Sequence, residues 1–375
     1  MKSQELSPFL EHFTDLQDPR TRQSEYPLQE LLLVAICAVL SGADNWVDVA
    51  DWGKLKLEWL RRFLPFENGT ASHDTFGRVF ALLDAAVFEA CFIAWMVSLC
   101  PALKGVVAVD GKTIRRSHGK GQKAIHVVSA YAHSLGLTLG QVKTSEKSNE
   151  MTAIPELLDA LLLKGCLVTI DAMGCQKAIA AKIIEREADY LLMVKNNQPT
   201  LAAAVEDFFE AAERDGFDGV AHTQAEWVDG GHGRIETRRC VVAEVPVGQK
   251  AFAGWRKLKT LVKVESRREI NGEVSVERRY YISSRQADAS DLGQASRGHW
   301  GIENKLHWSL DVSYGEDQAR MRAGNAAENF SILRRITLNL IRLDKTRKTG
   351  IKNCRLKSGW DDACRQKLLG LQDLA

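Results

Sequence analysis

The chain has 375 residues, of which 26% are charged and 45% apolar, the make-up of a globular protein with length for about two domains. Fifty Lys and Arg stand against 48 Asp and Glu, a net charge of +2, which excludes a disordered polyelectrolyte. The longest apolar run, Leu31 to Leu40, is well short of the ~20 residues of a membrane span, and the N-terminus has no apolar core of signal-peptide length, so a cytoplasmic protein with no membrane partner is expected.

Residues 1–100 read as helical. Leu28 to Leu40 is one apolar helix, and Val47 to Phe63 continues at helical spacing until Pro65. Ser72-His73-Asp74 caps a helix from Thr75 to Leu83, and Ala86 to Leu99 is another. At Gly105 the period changes. Val106 to Val109 is a short β-branched run ending at Asp110, the pattern of a strand buried on both faces. After a Gly- and Lys-rich loop, Ile125 to Ala132 and Leu137 to Lys143 read as a hairpin. Gly119-x-Gly121 in that loop lacks the strand-to-helix setting of a nucleotide fingerprint. Helix Glu150 to Leu163, strand Leu167 to Ile170 ending at Asp171, helix Gln176 to Glu187, strand Tyr190 to Val194 and helix Gln198 to Ala212 follow. That order fits an α+β protein with a mixed sheet flanked by helices. Residues 219–285 alternate polar and apolar and carry turn signals, as an antiparallel β insertion does. A helix runs from Ser290 to about Trp308, a last one covers Ala326 to Leu343, and the basic tail beyond is expected to be only partly packed.

Charge is uneven along this order: residues 1–100 are net −6 and residues 318–375 net +8, which suggests a polyanionic partner or else a solvated helix face. Eight cysteines, none spaced C-x-x-C and with no His cluster beside them, argue against a zinc site and a disulfide framework, and most of them read as small core hydrophobes.

Asp110 and Asp171 each end a short buried strand, where ligand sites gather in sheets covered by helices. One such aspartate alone is often only a turn cap. Two on neighbouring strands repel, and a divalent cation with a taste for hard oxygen, Mg²⁺ or Mn²⁺, removes the repulsion. The third acid is sought in SDLGQASRGHWGIENKLHW, where Glu303 lies between His299 and His307 at i, i+4 spacing. A His-Glu-His zinc set would leave the two aspartates unexplained, so Glu303 is preferred as third carboxylate, ahead of Asp311, Glu316 and Asp317. Lys112, Arg115 and Arg116 follow Asp110 closely enough to touch a phosphate, or else form a solvated turn. Lys195, Asn196 and Asn197 occupy another strand end on the same rim.

VAVDGKTIR, QVKTSEKSNEMTAIPELL, TIDAMGCQKAIA, YLLMVKNNQ, HGRIETR, RYYISS, HWGIENKLHWSLDV and RAGNAAENF together resemble the DDE transposases of bacterial insertion sequences, nearest to the H-repeat-associated proteins linked to Rhs elements. The resemblance spans the N-terminal helices, with SHDTFGRVF, to about residue 345. It implies a ribonuclease H-like core with Asp110, Asp171 and Glu303 as catalytic and metal-binding acids. Two Mg²⁺ ions, with Mn²⁺ as substitute, would cut and join double-stranded DNA at element ends. Lys112, Arg115, Arg116, Lys195, Asn197, Arg297 and Lys305 are the expected DNA contacts. The Tyr, Arg and Lys that accompany the Glu in related transposases fall here on Ser296, His299 and Leu310, so Arg297 and Lys305 are expected to supply the charge. Three parts are implied: a helical domain at 1–100 for end recognition or assembly, a catalytic core at 101–344 with the insertion at 219–285, and a basic tail at 345–375. In the helical domain Arg61, Arg62 and Arg78 are the local cations. Pairing two ends implies a homodimer on DNA. The alternatives are a nuclease with the same acids, or a domesticated or inactive DNA-binding protein.

Overall fold

The computed structural model describes residues 8–21, 24–119, 123–144, 150–231, 234–270 and 272–372. Gly121, in the Gly- and Lys-rich loop, lies outside the described residues.

The chain opens with helices α1 (Pro8–Glu11), α2 (Leu28–Leu40), α3 (Trp46–Leu55), α4 (Leu57–Leu60), α5 (His73–Leu82) and α6 (Ala85–Leu99). Helix α2 is buried almost all round, as its unbroken apolar run requires. The expected single helix from Val47 to Phe63 is broken at Lys56, between α3 and α4. Ser72 and Asp84 cap α5 and α6 by accepting backbone N–H bonds from Thr75 and from Ala86 and Val87.

The core then runs β1 (Gly105–Thr113), β2 (His126–Ala132), β3 (Leu137–Lys143), α7 (Glu150–Ala160), β4 (Cys166–Ile170), α8 (Lys177–Glu185), β5 (Asp189–Val194) and α9 (Pro199–Arg214). Strands β1, β2 and β3 are antiparallel neighbours, and β4 and β5 add parallel to β1 on the other side. The order 3-2-1-4-5 with this mixture of directions is the ribonuclease H-like sheet.

Four further antiparallel strands, β6 (His222–Gly231), β7 (Arg234–Glu244), β8 (Thr260–Ile270) and β9 (Glu273–Ser283), form the insertion. They join the main sheet, because β9 pairs antiparallel with β5 and extends it to nine strands. Helix α10 (Ala289–His299) lies back across this junction; Gly293 leaves no room for a Cβ, which would sit 2.4 Å from the Trp227 ring.

Helices α7, α8 and α9 cover one face of the sheet. On the other face α10 packs over β4, β5 and the insertion. There also the N-terminal helices share a core with α11 (Trp308–Tyr314) and α12 (Ala326–Leu343).

The tail forms two more helices, α13 (Ile351–Trp360) and α14 (Asp362–Leu369), which corrects the expectation of a partly packed end. Arg355 donates to the Val39 carbonyl at the end of α2 and stacks 4.0 Å over Tyr314. Arg365 lies over Trp52 and Trp59 and is fully buried. Buried arginines at 334, 335, 355 and 365 thus spend much of the C-terminal charge inside the fold. All eight cysteines are free, and four of them are buried.

Candidate active site

The last parallel pair between β1 and β4 is Val109 with Ile170. The next residues on each strand are Asp110 and Asp171, so the register sets the two acids side by side. Asp110 is not the end of its strand, as the sequence suggested: β1 continues to Thr113 because β2 goes on pairing along its other edge. Asp171 does cap a turn, accepting the Met173 N–H at 3.0 Å.

Glu303 is carried by a different element from the two aspartates. It lies in a π-helical turn, Ile302–His307, between α10 and α11. The Trp308 N–H reaches back five residues to the Glu303 carbonyl. Such π turns recur at functional sites, since the wider turn re-aims side chains. The turn is tightly seated, because a Cβ on Gly301 would come 2.7 Å from His133. Glu303, Asn304 and Lys305 point to solvent, while Ile302 and Leu306 enter the core.

The acids act on one another electrostatically. Burial pushes the Asp110 carboxyl up to about 7; the charge of Asp171 adds to it, a hydrogen bond from the Gly111 N–H opposes it, and Glu150 and Glu303 raise it further. Asp171 is raised by burial and then by Glu150, against the Gly174 and Met173 N–H groups and the charge of Lys195.

Glu150, at the start of α7, is therefore a fourth acid of this rim, and reading the sequence missed it. Its only signal is its place in the quoted QVKTSEKSNEMTAIPELL run, in the first turn of α7. His126 fixes it, with Nε2 2.7 Å from Glu150 Oε1 and Nδ1 2.8 Å from Thr113 Oγ1. This pair lies over the backbone beside Asp110. A Cβ on Gly111 would be 2.1 Å from Glu150 Oε1, so only glycine fits there.

The zinc alternative does not form. His299 is buried and turned inward to Thr169 Oγ1 at 3.1 Å, and His307 Nδ1 faces Asp110 Oδ2 at 3.5 Å. Burial pushes His299 down to about 4 and His307 down to about 3, so both are neutral. Among the described residues no three His, Cys, Asp or Glu side chains stand close enough to hold a metal ion as a group. The donor chemistry on the rim is that of hard carboxylate oxygen; burial raises Asp110 and Asp171, the charges of neighbouring acids add to it, and a bound divalent cation would offset both. In that respect the residues fit Mg²⁺ or Mn²⁺.

The expected phosphate contacts divide into two kinds. Lys112 is buried, 2.7 Å from Asp311, 2.9 Å from Asp317 and 4.0 Å from Glu316, so its ammonium is already engaged. Glu316 is fully buried against Arg335 at 3.0 Å. The three rivals of Glu303 are thus each tied to a cation. Arg115 and Arg116 are exposed, the former also touching Asp317 at 3.2 Å. Lys195 is exposed beside Asp171, and Asn197 ties the β5 end to the other acidic turn by donating to the Ala172 carbonyl at 2.5 Å. Arg297 and Lys305 line a groove of about 750 Å³ between α10, the π turn and the insertion. Arg297 there is paired with Asp229 at 2.7 Å, as is Arg238 at 2.9 Å, while Arg268 pairs with Glu236 and Arg279 with Glu277.

Residues 101–340 match the family described as Transposase DDE domain, and residues 10–96 match its companion, DDE_Tnp_1-associated. The chain belongs to the DDE transposase family. Within it, the chain is 43% identical over 367 residues to the H repeat-associated putative transposase YhhI of Escherichia coli (strain K12), covering 95% of this chain and 96% of that one. It is 46% identical over 281 residues to a protein of the dhlA 3' region of Xanthobacter autotrophicus, covering 74% of this chain and 94% of the other. Among solved structures, piggyBac transposase in its synaptic complex with hairpin DNA is a loose likeness, with a TM-score of 0.44 and 9% identity over 97% of this chain and 77% of that one. Asp110, Asp171 and Glu303 of this DDE family member all lie in the segment matched to the Transposase DDE domain.

Proposed function

We propose that the chain is the transposase of a bacterial insertion sequence, cutting double-stranded DNA at the element's ends and joining the freed 3′-OH to target DNA. What supports this reading is that Asp110 and Asp171 sit side by side on the rim of a ribonuclease H-like sheet, with Glu303 near enough to raise Asp110, in a member of the DDE family. Asp110, Asp171 and Glu303 would hold divalent cations of the Mg²⁺ class, with Mn²⁺ as substitute. When bound, such ions polarise the scissile phosphate and activate the attacking water.

The chain's own residues do the rest. Asp110 and Asp171 are fixed by strand register and by backbone N–H bonds, so they present oxygens without reorganising. Glu303 comes from a separate element, so its distance from the aspartates depends on how the π turn sits. Lys195, exposed beside Asp171, offers a cation to a backbone phosphate, as do the exposed Arg115 and Arg116. Lys112 instead holds Asp311 and Asp317 in place beneath the site.

In this reading residues 1–100 serve end recognition or assembly, residues 101–344 carry the chemistry, and two chains pair two ends in the cytoplasm. Two family matches falling on either side of residue 100 support that division, and among the described residues no single helix is long and apolar enough to cross a membrane.

The test is Mg²⁺-dependent cleavage of DNA carrying the element's ends by Asp110→Asn, Asp171→Asn and Glu303→Gln. Each variant removes a charge and keeps the shape. Each should lose cleavage by at least a hundredfold while binding DNA as the wild type does. Robust cleavage by Glu303→Gln would remove that residue from the site.

A further inference from the structure

Between the catalytic rim and the N-terminal helices lies a second groove, of about 820 Å³, with walls from the start of α3, from α5 and from the strap that links α11 to α12. The strap is pinned at both ends. At one end Glu316 and Asp317 bind Arg335, Lys112 and Arg115. At the other, Gly324 adopts φ +47° and passes so close to α5 that a Cβ would lie 2.4 Å from the Ala81 carbonyl oxygen. The Asn325 N–H donates to that same carbonyl at 3.0 Å, and its side chain donates to the Leu83 carbonyl. The RAGNAAENF run is thus a clamp that holds the strap on α5.

After Ala319, whose backbone is extended, Arg320, Met321 and Arg322 all line the groove, and Met321 also packs against the core. Arg78 of α5 lines the same groove, and all three arginines are exposed. No ion pair holds any of them among the described residues. Of the groove's acids, Asp44 is held by Arg355 at 2.9 Å, and Asp74 is exposed beside the His73 ring. This is the reverse of the groove beside Arg297, where arginines are neutralised by acids. Unpaired cations on a rigid strap that starts at the catalytic rim match a polyanion that must run from that rim to the N-terminal helices.

We propose that this groove seats the phosphate backbone of double-stranded DNA, with Arg78, Arg320 and Arg322 as its contacts. The inference rests on the reading of the chain as a DNA-processing enzyme. Its readout is the salt dependence of full-length protein binding to a short fluorescent duplex of arbitrary sequence. Each lost duplex phosphate contact flattens the slope of log K against log salt by ~0.9, so the triple Arg78→Ala, Arg320→Ala, Arg322→Ala variant should be shallower by about 2.7. The triple Arg→Lys variant, which keeps the charges, should restore the wild-type slope. A wild-type slope in the triple alanine variant overturns the inference, and so does a triple lysine variant that behaves like alanine. Asp110→Asn keeps the two failures apart: it should keep the full slope and lose cleavage, and if it still cleaves, the proposed function falls while the groove stands.

Discussion

Lys112 shows what a single residue's neighbourhood does to a sequence reading. It follows Asp110 by two positions, so both side chains leave β1 on the same face, and that face looks onto α11 and the strap rather than onto solvent. A basic residue near a catalytic acid reads as a phosphate contact, but here it satisfies Asp311 and Asp317, with Glu316 behind them. Removing one partner of a buried ion cluster strands the others, so Lys112→Ala should cost about 3 kcal/mol in urea denaturation, while the exposed Arg116→Ala should cost nothing measurable. Equal stability of the two variants would contradict the placement of Lys112. The two aspartates were legible because each follows a short β-branched run that states the strand, although only Asp171 stands at its strand's end. Glu150 was not, because its place in the site depends on β2 and α7 meeting over Gly111, a contact with no local signature.

Single elements were legible where hydropathy decides them and illegible where a charged side chain does. Helices α2 and α12 fall where the apolar spacing put them. Helices α13 and α14 did not announce themselves, because their anchors are Arg355 and Arg365, residues that hydropathy counts as surface. Ending the chain at residue 344 should therefore lower the thermal unfolding midpoint by several degrees, since it removes the cap on α2 and the stack on Trp52 and Trp59. An unchanged midpoint would return the tail to the status of a solvated end. Helix α6 carries a similar hidden tie: Glu89 is buried and accepts the Gln141 N–H of β3 at 2.8 Å. Burial pushes its carboxyl up to about 8 from a usual value of 4.5. Below pH 4.5 the folded and unfolded chains both hold this proton. Between 4.5 and 8 the unfolded chain loses it and the folded chain keeps it, so this group's contribution to stability declines as pH rises across that window and levels off above it. Glu89→Gln keeps the acceptor oxygen and should be more stable than wild type at pH 8 by on the order of 1 kcal/mol or more, with little difference at pH 4.5. Parallel pH profiles for the two proteins would refute this.

At the scale of the whole molecule, the order of strands and helices in the sequence was enough to reach a mixed sheet flanked by helices, because a strand–helix alternation after an antiparallel hairpin has few ways to pack. What it did not show is that the insertion continues the sheet through the pairing of β9 with β5, or that the helix bearing Glu303 is wound as a π turn. Both depend on contacts between segments far apart in the chain. They also set how Glu303 meets the aspartates, and so bear directly on the central claim that this fold cuts and joins DNA at one carboxylate site. The most direct measurement is a strand-transfer reaction: purified full-length protein, Mg²⁺, a donor duplex ending in the element's 3′-OH and a supercoiled target plasmid. The account predicts covalent donor–target joints that vanish with Asp110→Asn, Asp171→Asn or Glu303→Gln. Target nicking without joint formation by the wild-type protein would contradict it and leave a nuclease, and joints formed equally well by Asp110→Asn would contradict it at the site itself.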